Sequence, residues 1–121
     1  MTLRSGVDML EIPRLKEALA RHGERFLMRI YTPAEREVCQ GNLASLAARF
    51  AAKEAVGKAL GTGLGKVAWT DIEGLRDPAG APLLKLYGEA AARAESLGLK
   101  QWAISLSHTR DHAIAMVVAS D

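Results

Sequence analysis

Arg49-Phe50-Ala51-Ala52-Lys53-Glu54-Ala55-Val56-Gly57-Lys58-Ala59-Leu60-Gly61 decides how this chain is read. Alanine is its commonest residue, strong helix formers fill most of the rest, and no proline interrupts it, so it predicts a helix. The pattern extends back to about Leu43, and Gly61 is a natural C-cap. At about 100° per residue, Leu43, Ala47, Phe50 and Ala51 lie within roughly 60° of the direction of Glu54. A carboxylate therefore sits among the apolar residues, and Lys58 follows one turn later on the same side. A buried charge is costly unless it is paired or binds a metal. Glu54 needs a partner from elsewhere in the chain.

Working outward, Leu3 to Ile12 reads as a strand, with Gly6 permitting close backbone approach. Pro13 suits the first turn of a helix from about Arg14 to Ile30, whose stripe is Leu15, Leu19, Phe26, Leu27 and Ile30. Thr32-Pro33-Ala34-Glu35 is a capping-box start for a short helix that ends at Gly41-Asn42. Beyond the alanine-rich helix, Trp69 to Arg76 and Leu83 to Tyr87 predict two strands, joined by the turn Asp77-Pro78-Ala79-Gly80. Glu89 to Leu97 predicts a helix closed by Gly98. Trp102 to Ser107 alternates as a strand. Thr109-Arg110-Asp111-His112 turns the chain into Ala113–Ala119, apolar enough for the centre of a sheet. The fold class is α+β: one compact domain over residues 1–121, a largely antiparallel sheet packed on the long alanine-rich helix.

Composition bounds the function. The chain has 121 residues, about half of them apolar, and a net charge of only +2, which argues for neither nucleic acid nor a membrane surface. Arg14, Lys16, Arg21, His22, Arg25 and Arg29 nevertheless crowd one segment. Such a density of arginine suits bidentate recognition of carboxylates on an acidic protein partner. Aromatic content is low and no stacking platform for nucleic acid is evident. Cys39 is the single cysteine, so no internal disulfide forms, in keeping with a reducing cytosol. No apolar run has the length of a membrane span, and no signal-peptide plan precedes the domain.

Asp8, within an apolar strand, is the natural companion of Glu54. Two carboxylates brought together repel unless a cation joins them. A hard ion such as Mg²⁺ takes one or two protein carboxylates together with water and phosphate oxygens, whereas no histidine or cysteine spacing suggests zinc. Gly61-Thr62-Gly63-Leu64-Gly65-Lys66 has the look of a phosphate loop, but it follows a helix rather than opening one. The local dipole then disfavours anions, and a C-cap with a flexible loop is the simpler reading. The loop can still hug a flat ligand, with Lys58 and Lys66 supplying charge. Ser105, Ser107, His108, Thr109 and His112 gather near a strand end without a nucleophile-elbow motif.

Gly6-Val7-Asp8 with Glu11-Ile12 and Arg14, then Arg49-Phe50-Ala51-Ala52-Lys53-Glu54-Ala55 with Lys58 to Gly63, then Ile104 to Thr109, resemble the holo-acyl-carrier-protein synthase family, the small bacterial branch of the 4′-phosphopantetheinyl transferases. The resemblance spans the whole chain. It departs at Arg4 and Ser5, where the family often has glycine and an aliphatic residue, and at Ala103, where a polar residue or histidine is common. The resemblance implies transfer of the phosphopantetheine arm of coenzyme A to a serine of apo acyl carrier protein, releasing adenosine 3′,5′-bisphosphate. It implies Mg²⁺ on Asp8 and Glu54, with Glu54 or a water as base and Lys58 stabilising the leaving group. Arg49, Lys53, Gly61, Thr62, Gly63, Gly65, His108 and Thr109 would hold the nucleotide. Arg14, Arg21, Arg25 and Arg29, with Phe26 and Met28, would meet the acidic carrier. It further implies a cytoplasmic homotrimer with sites between subunits. A non-catalytic coenzyme A or nucleotide-binding regulatory module is the alternative, and it has no need of both carboxylates.

Overall fold

The computed structural model describes residues Met1–Asp121. In chain order it contains β1 (Leu3–Glu11), α1 (Ile12–His22), α2 (Glu24–Ile30), α3 (Pro33–Cys39) and α4 (Leu43–Leu60). A 3₁₀ turn at Trp69–Asp71 then leads to β2 (Ile72–Arg76), β3 (Pro82–Leu86), α5 (Gly88–Ser96), β4 (Gln101–His108) and β5 (His112–Ser120). The α+β expectation holds. The strands form two antiparallel sheets, one of order β1-β5-β4 and a separate β2-β3 hairpin. β5 is central, as its apolar run predicts. Its residues Ala113, Ala115, Val117 and Ala119 point into the core.

Helix α4 lies across the three-stranded sheet and divides the interior. On one side Ala55, Val56, Leu60, Ile72 and Val117 pack together. On the other, Leu15, Ile30, Tyr31, Leu46 and Ala113 do so. Small residues face small residues, so helix and sheet approach closely. The extreme is Gly6, where a Cβ would overlap the Ala55 carbonyl oxygen and come 3.2 Å from the Ala59 nitrogen. Only glycine fits between β1 and α4 there.

Two local expectations change. The helix predicted from Arg14 to Ile30 is broken at Gly23, whose φ of 55° and ψ of −133° no helix accommodates. Arg14 and Arg21 therefore lie on α1, and Arg25, Phe26, Met28 and Arg29 on α2. The strand predicted to begin at Trp69 begins at Ile72 instead. Asp71 holds the preceding residues in a turn, its carboxylate accepting from Ala68 N at 3.3 Å and its carbonyl from Tyr87 N at 2.8 Å.

Candidate active site

Gly6 sets the site. In a strand, residues two apart share a face, so the close crossing of Gly6 over Ala55 brings Asp8 down beside α4. Lys58 marks the junction, donating to the Val7 carbonyl at 2.8 Å and to Asp8 Oδ1 at 3.2 Å. Glu54 stands beside this pair. Partial burial pushes its carboxyl above the ordinary range, the Asp8 charge pushes it further, and Lys58 opposes both. Three residues separated by up to 50 positions thus converge where strand meets helix. Asp8 and Glu54 are half-buried and Lys58 is exposed, so the cluster is open to a ligand.

Its donor set suits a hard dication. Two carboxylates with one ammonium leave the pair short of positive charge, and Asp8 adds to the burial that raises the Glu54 carboxyl. The chain offers no group of three acidic, histidine or cysteine side chains placed to hold a metal ion. A metal here completes its shell with water or with phosphate oxygens, as magnesium commonly does.

Glu54 is not the buried charge of α4. Lys53 and Arg49 are. Lys53 is 1 % exposed, and its ammonium donates to Glu35 Oε1 at 2.7 Å, to the Trp69 carbonyl at 3.0 Å and to the Ile72 carbonyl. Burial drives its pKa down and Glu35 opposes that. Glu35 also takes Thr32 N at 2.9 Å and Gly74 N at 2.8 Å. Arg49 donates through Nε to the Gly74 carbonyl at 2.8 Å and through Nη1 to Ser45 Oγ at 2.7 Å. The four side chains clamp β2 to α3 and α4. All three ammonium protons of Lys53 are spent inside the fold, which corrects its expected place among the nucleotide contacts.

Arg49 keeps a share in the surface. It lines an open cavity of about 700 Å³ together with Ser45, Arg76, Gly80, Pro82 and His108. The β2-β3 hairpin is one wall, the start of α4 a second, and the end of β4 the third. Two of the expected nucleotide contacts, Arg49 and His108, are thereby brought together, and Arg76 joins them without any signal in the sequence. Thr109 turns elsewhere: its hydroxyl accepts from His112 N at 3.2 Å and supports the β4-β5 turn.

The glycine loop is foremost a helix cap. Gly61 and Gly63 take φ of 77° and 64°. Gly61 N donates to the Lys58 carbonyl at 3.1 Å, while Thr62 N and Gly63 N donate to the Gly57 carbonyl. The Thr62 hydroxyl donates to the Gly63 carbonyl at 2.9 Å. With those amides turned back onto α4, they form no phosphate cradle, and any contact from Gly61, Thr62 or Gly63 is through carbonyls or packing. Gly65 lies further out in the exposed part of the loop.

Arg14, Arg21, Arg25 and Arg29 are exposed, and Met28 is 61 % exposed. Phe26 departs from that set. It is half-buried, its ring stacked on Phe50 at 6.4 Å, and Phe50 in turn packs on Trp69 at 4.7 Å. Its first task is to seat α2 against α4.

Residues 4–117 match the model of the 4′-phosphopantetheinyl transferase superfamily. The chain belongs to this superfamily. Over 119 residues it is 56 % identical to a holo-[acyl-carrier-protein] synthase of Dehalococcoides mccartyi, covering 98 % of this chain and 99 % of the relative. Among solved structures, the Helicobacter pylori holo-[acyl-carrier-protein] synthase in complex with coenzyme A superposes with a TM-score of 0.88 at 34 % identity, covering 96 % and 99 % of the two chains. The Neisseria meningitidis synthase gives 0.86 at 36 %, covering 98 % of each. This phosphopantetheinyl transferase therefore shares its fold along nearly all of its length with synthases, one of them solved with the coenzyme in place. No helix of the structure is long and apolar enough to cross a membrane.

Proposed function

We propose that this chain transfers the 4′-phosphopantetheine arm of coenzyme A to a serine hydroxyl of an apo acyl carrier protein, leaving adenosine 3′,5′-bisphosphate. The observation that carries the reading is the convergence of Asp8, Glu54 and Lys58, because a binding module needs no acid pair tuned against itself. Asp8 and Glu54 hold Mg²⁺, which when bound neutralises charge on the coenzyme diphosphate. Glu54, ionised, accepts the proton of the carrier serine directly or through a water. Lys58 stands with an exposed ammonium where the departing phosphate gathers charge. The cavity at Arg49, Arg76 and His108 receives the nucleotide and its phosphates.

Two copies build one complete site in this reading. Arg49 and Glu54 are five residues apart on α4, so they project about 140° apart. The cavity and the acid pair consequently look out on different sides of one chain. A coenzyme that touches both bridges neighbouring subunits. The outer face of the three-stranded sheet supports assembly, since Leu3, Val7, Met9, Ile114 and Met116 are exposed on it. A homotrimer buries this face and places cavity against acid pair three times. Arg14, Arg21, Arg25, Arg29 and Met28 form the dock for the acidic carrier. The site of action is the cytoplasm, a reducing compartment that the single free thiol of Cys39 suits.

The test is direct. Apo carrier protein is incubated with coenzyme A, Mg²⁺ and this chain, and the product is weighed. The expected result is a mass gain of one phosphopantetheine arm, lost on chelation and in Asp8→Asn and Glu54→Gln. Coenzyme A binding without transfer to any carrier would leave only the regulatory module.

A further inference from the structure

The C-terminal end of α4 carries a cationic cluster that the transfer chemistry does not use. Its last four carbonyls are fully accounted for. Gly57 O accepts from Thr62 N and Gly63 N, and Lys58 O accepts from Gly61 N. Ala59 O accepts from Arg4 Nε at 2.8 Å, and Leu60 O from Arg93 Nε at 3.0 Å. Two arginines, one from β1 and one from α5, thus cap the same helix end by their inner nitrogens alone. Their terminal nitrogens have no hydrogen-bond partner in the fold, and neither guanidinium has a carboxylate within ion-pairing distance.

Both guanidinium ends border the space that Gly61 leaves open. A Cβ there would stand 2.8 Å from Arg4 Nη2 and 3.7 Å from Arg93 Nη2. Beside it opens a cavity of about 310 Å³ lined by Gly61, Thr62, Lys66, Val67, Glu89 and Arg93. Three cationic side chains face this region against one carboxylate, Glu89. Like charges crowded in this way repel unless an anion joins them. A helix C-terminus ordinarily disfavours anions, but here every carbonyl that would repel one already accepts a hydrogen bond. Guanidinium groups fixed by Nε present their remaining N–H groups in the planar fork that suits phosphate.

We propose that Arg4, Arg93 and Lys66 form a binding site for a small dianionic oxyanion of the orthophosphate class, separate from the nucleotide cavity. The anion bridges β1, α5 and the Gly61–Lys66 loop, and so fastens the loop that follows Lys58. The site does not depend on the transferase reading.

The test is calorimetric titration of the full chain with sodium phosphate, against sodium chloride at equal ionic strength. One saturable phosphate site is expected. Arg93→Gln and Lys66→Gln each weaken it about tenfold, the scale of one charge-assisted hydrogen bond, and Glu89→Gln tightens it. Lys66 and Glu89 are exposed, so these two variants keep the fold even if loss of the Arg93 cap loosens α4. Phosphate binding persists in the presence of saturating coenzyme A. Absence of a saturable site, or equal affinity in the parent and all three variants, overturns the proposal. So does loss of phosphate binding on adding coenzyme A, which would put the anion in the nucleotide cavity.

Discussion

Replacing Lys53 by methionine tests the internal clamp. The substitution keeps the bulk of the side chain and deletes the ammonium, with its bonds to Glu35, Trp69 O and Ile72 O. Glu35, fully buried, keeps Thr32 N and Gly74 N as donors but loses its counter-charge. Removing one partner of a buried pair typically costs about 3–5 kcal/mol. The two surviving donors place this case near the lower end, about 3 kcal/mol. For a chain of this size, each kcal/mol lowers the melting temperature by about 4 °C, so the expected fall is about 12 °C. Lys58→Met on the same helix is the control. Its pair with Asp8 is solvent-exposed on the lysine side, and such pairs contribute no more than about 1 kcal/mol. Thermal melts followed by circular dichroism, with KM for coenzyme A measured in parallel, decide the matter. If Lys53→Met melts within about 4 °C of the parent while raising KM for coenzyme A, then Lys53 faces the nucleotide, and the argument from burial fails.

Three further outcomes are expected. Gly6→Ala drives a methyl group into the Ala55 carbonyl. It should cost at least about 3 kcal/mol, the upper range for overpacking; a urea midpoint unchanged from the parent would show that β1 can lift off α4. Because the Glu54 carboxyl is raised in the fold, the native state retains that proton at a pH where the unfolded chain has lost it. Glu54 therefore lowers stability as pH rises through this window, and the deficit persists above it. Without metal, Glu54→Gln should match the parent at low pH and melt above it at pH 8, whereas Mg²⁺ should raise only the parent; a variant that melts below the parent at pH 8 contradicts the assignment. Arg14→Glu should raise KM for carrier protein far more than KM for coenzyme A, and an equal rise in both removes α1 from docking.

Local rules made much of this molecule legible. The Thr32–Glu35 capping box forms as the spacing dictates, and Gly61 caps α4 as expected. Asp8 and Glu54 stand out in sequence because each is a carboxylate in an apolar run. The buried charges were harder to place. Helix α4 is apolar almost all round, so a helical projection gives no unique inward direction and does not rank Glu54 against Lys53 or Arg49 in depth. What fixes Lys53 is Glu35, 18 residues earlier, whose carboxylate already has a sufficient local role in the cap. The apolar stripe runs on across Gly23, and a lone glycine within such a stripe does not by itself mark a break. Arg76 gave no signal at all, since only the path of the hairpin carries it to the cavity.

The crossing at Gly6 has a wider consequence. The spacing of the two backbones that carry Asp8 and Glu54 is governed there by main chain resting on main chain, with no side chain in between. Methyl-sized repacking in the distant parts of the interior can then soften or stiffen the molecule as a whole without altering the bite presented to a cation. Melting temperature and metal affinity become separately adjustable properties, and an engineer could raise one while leaving the other where it is.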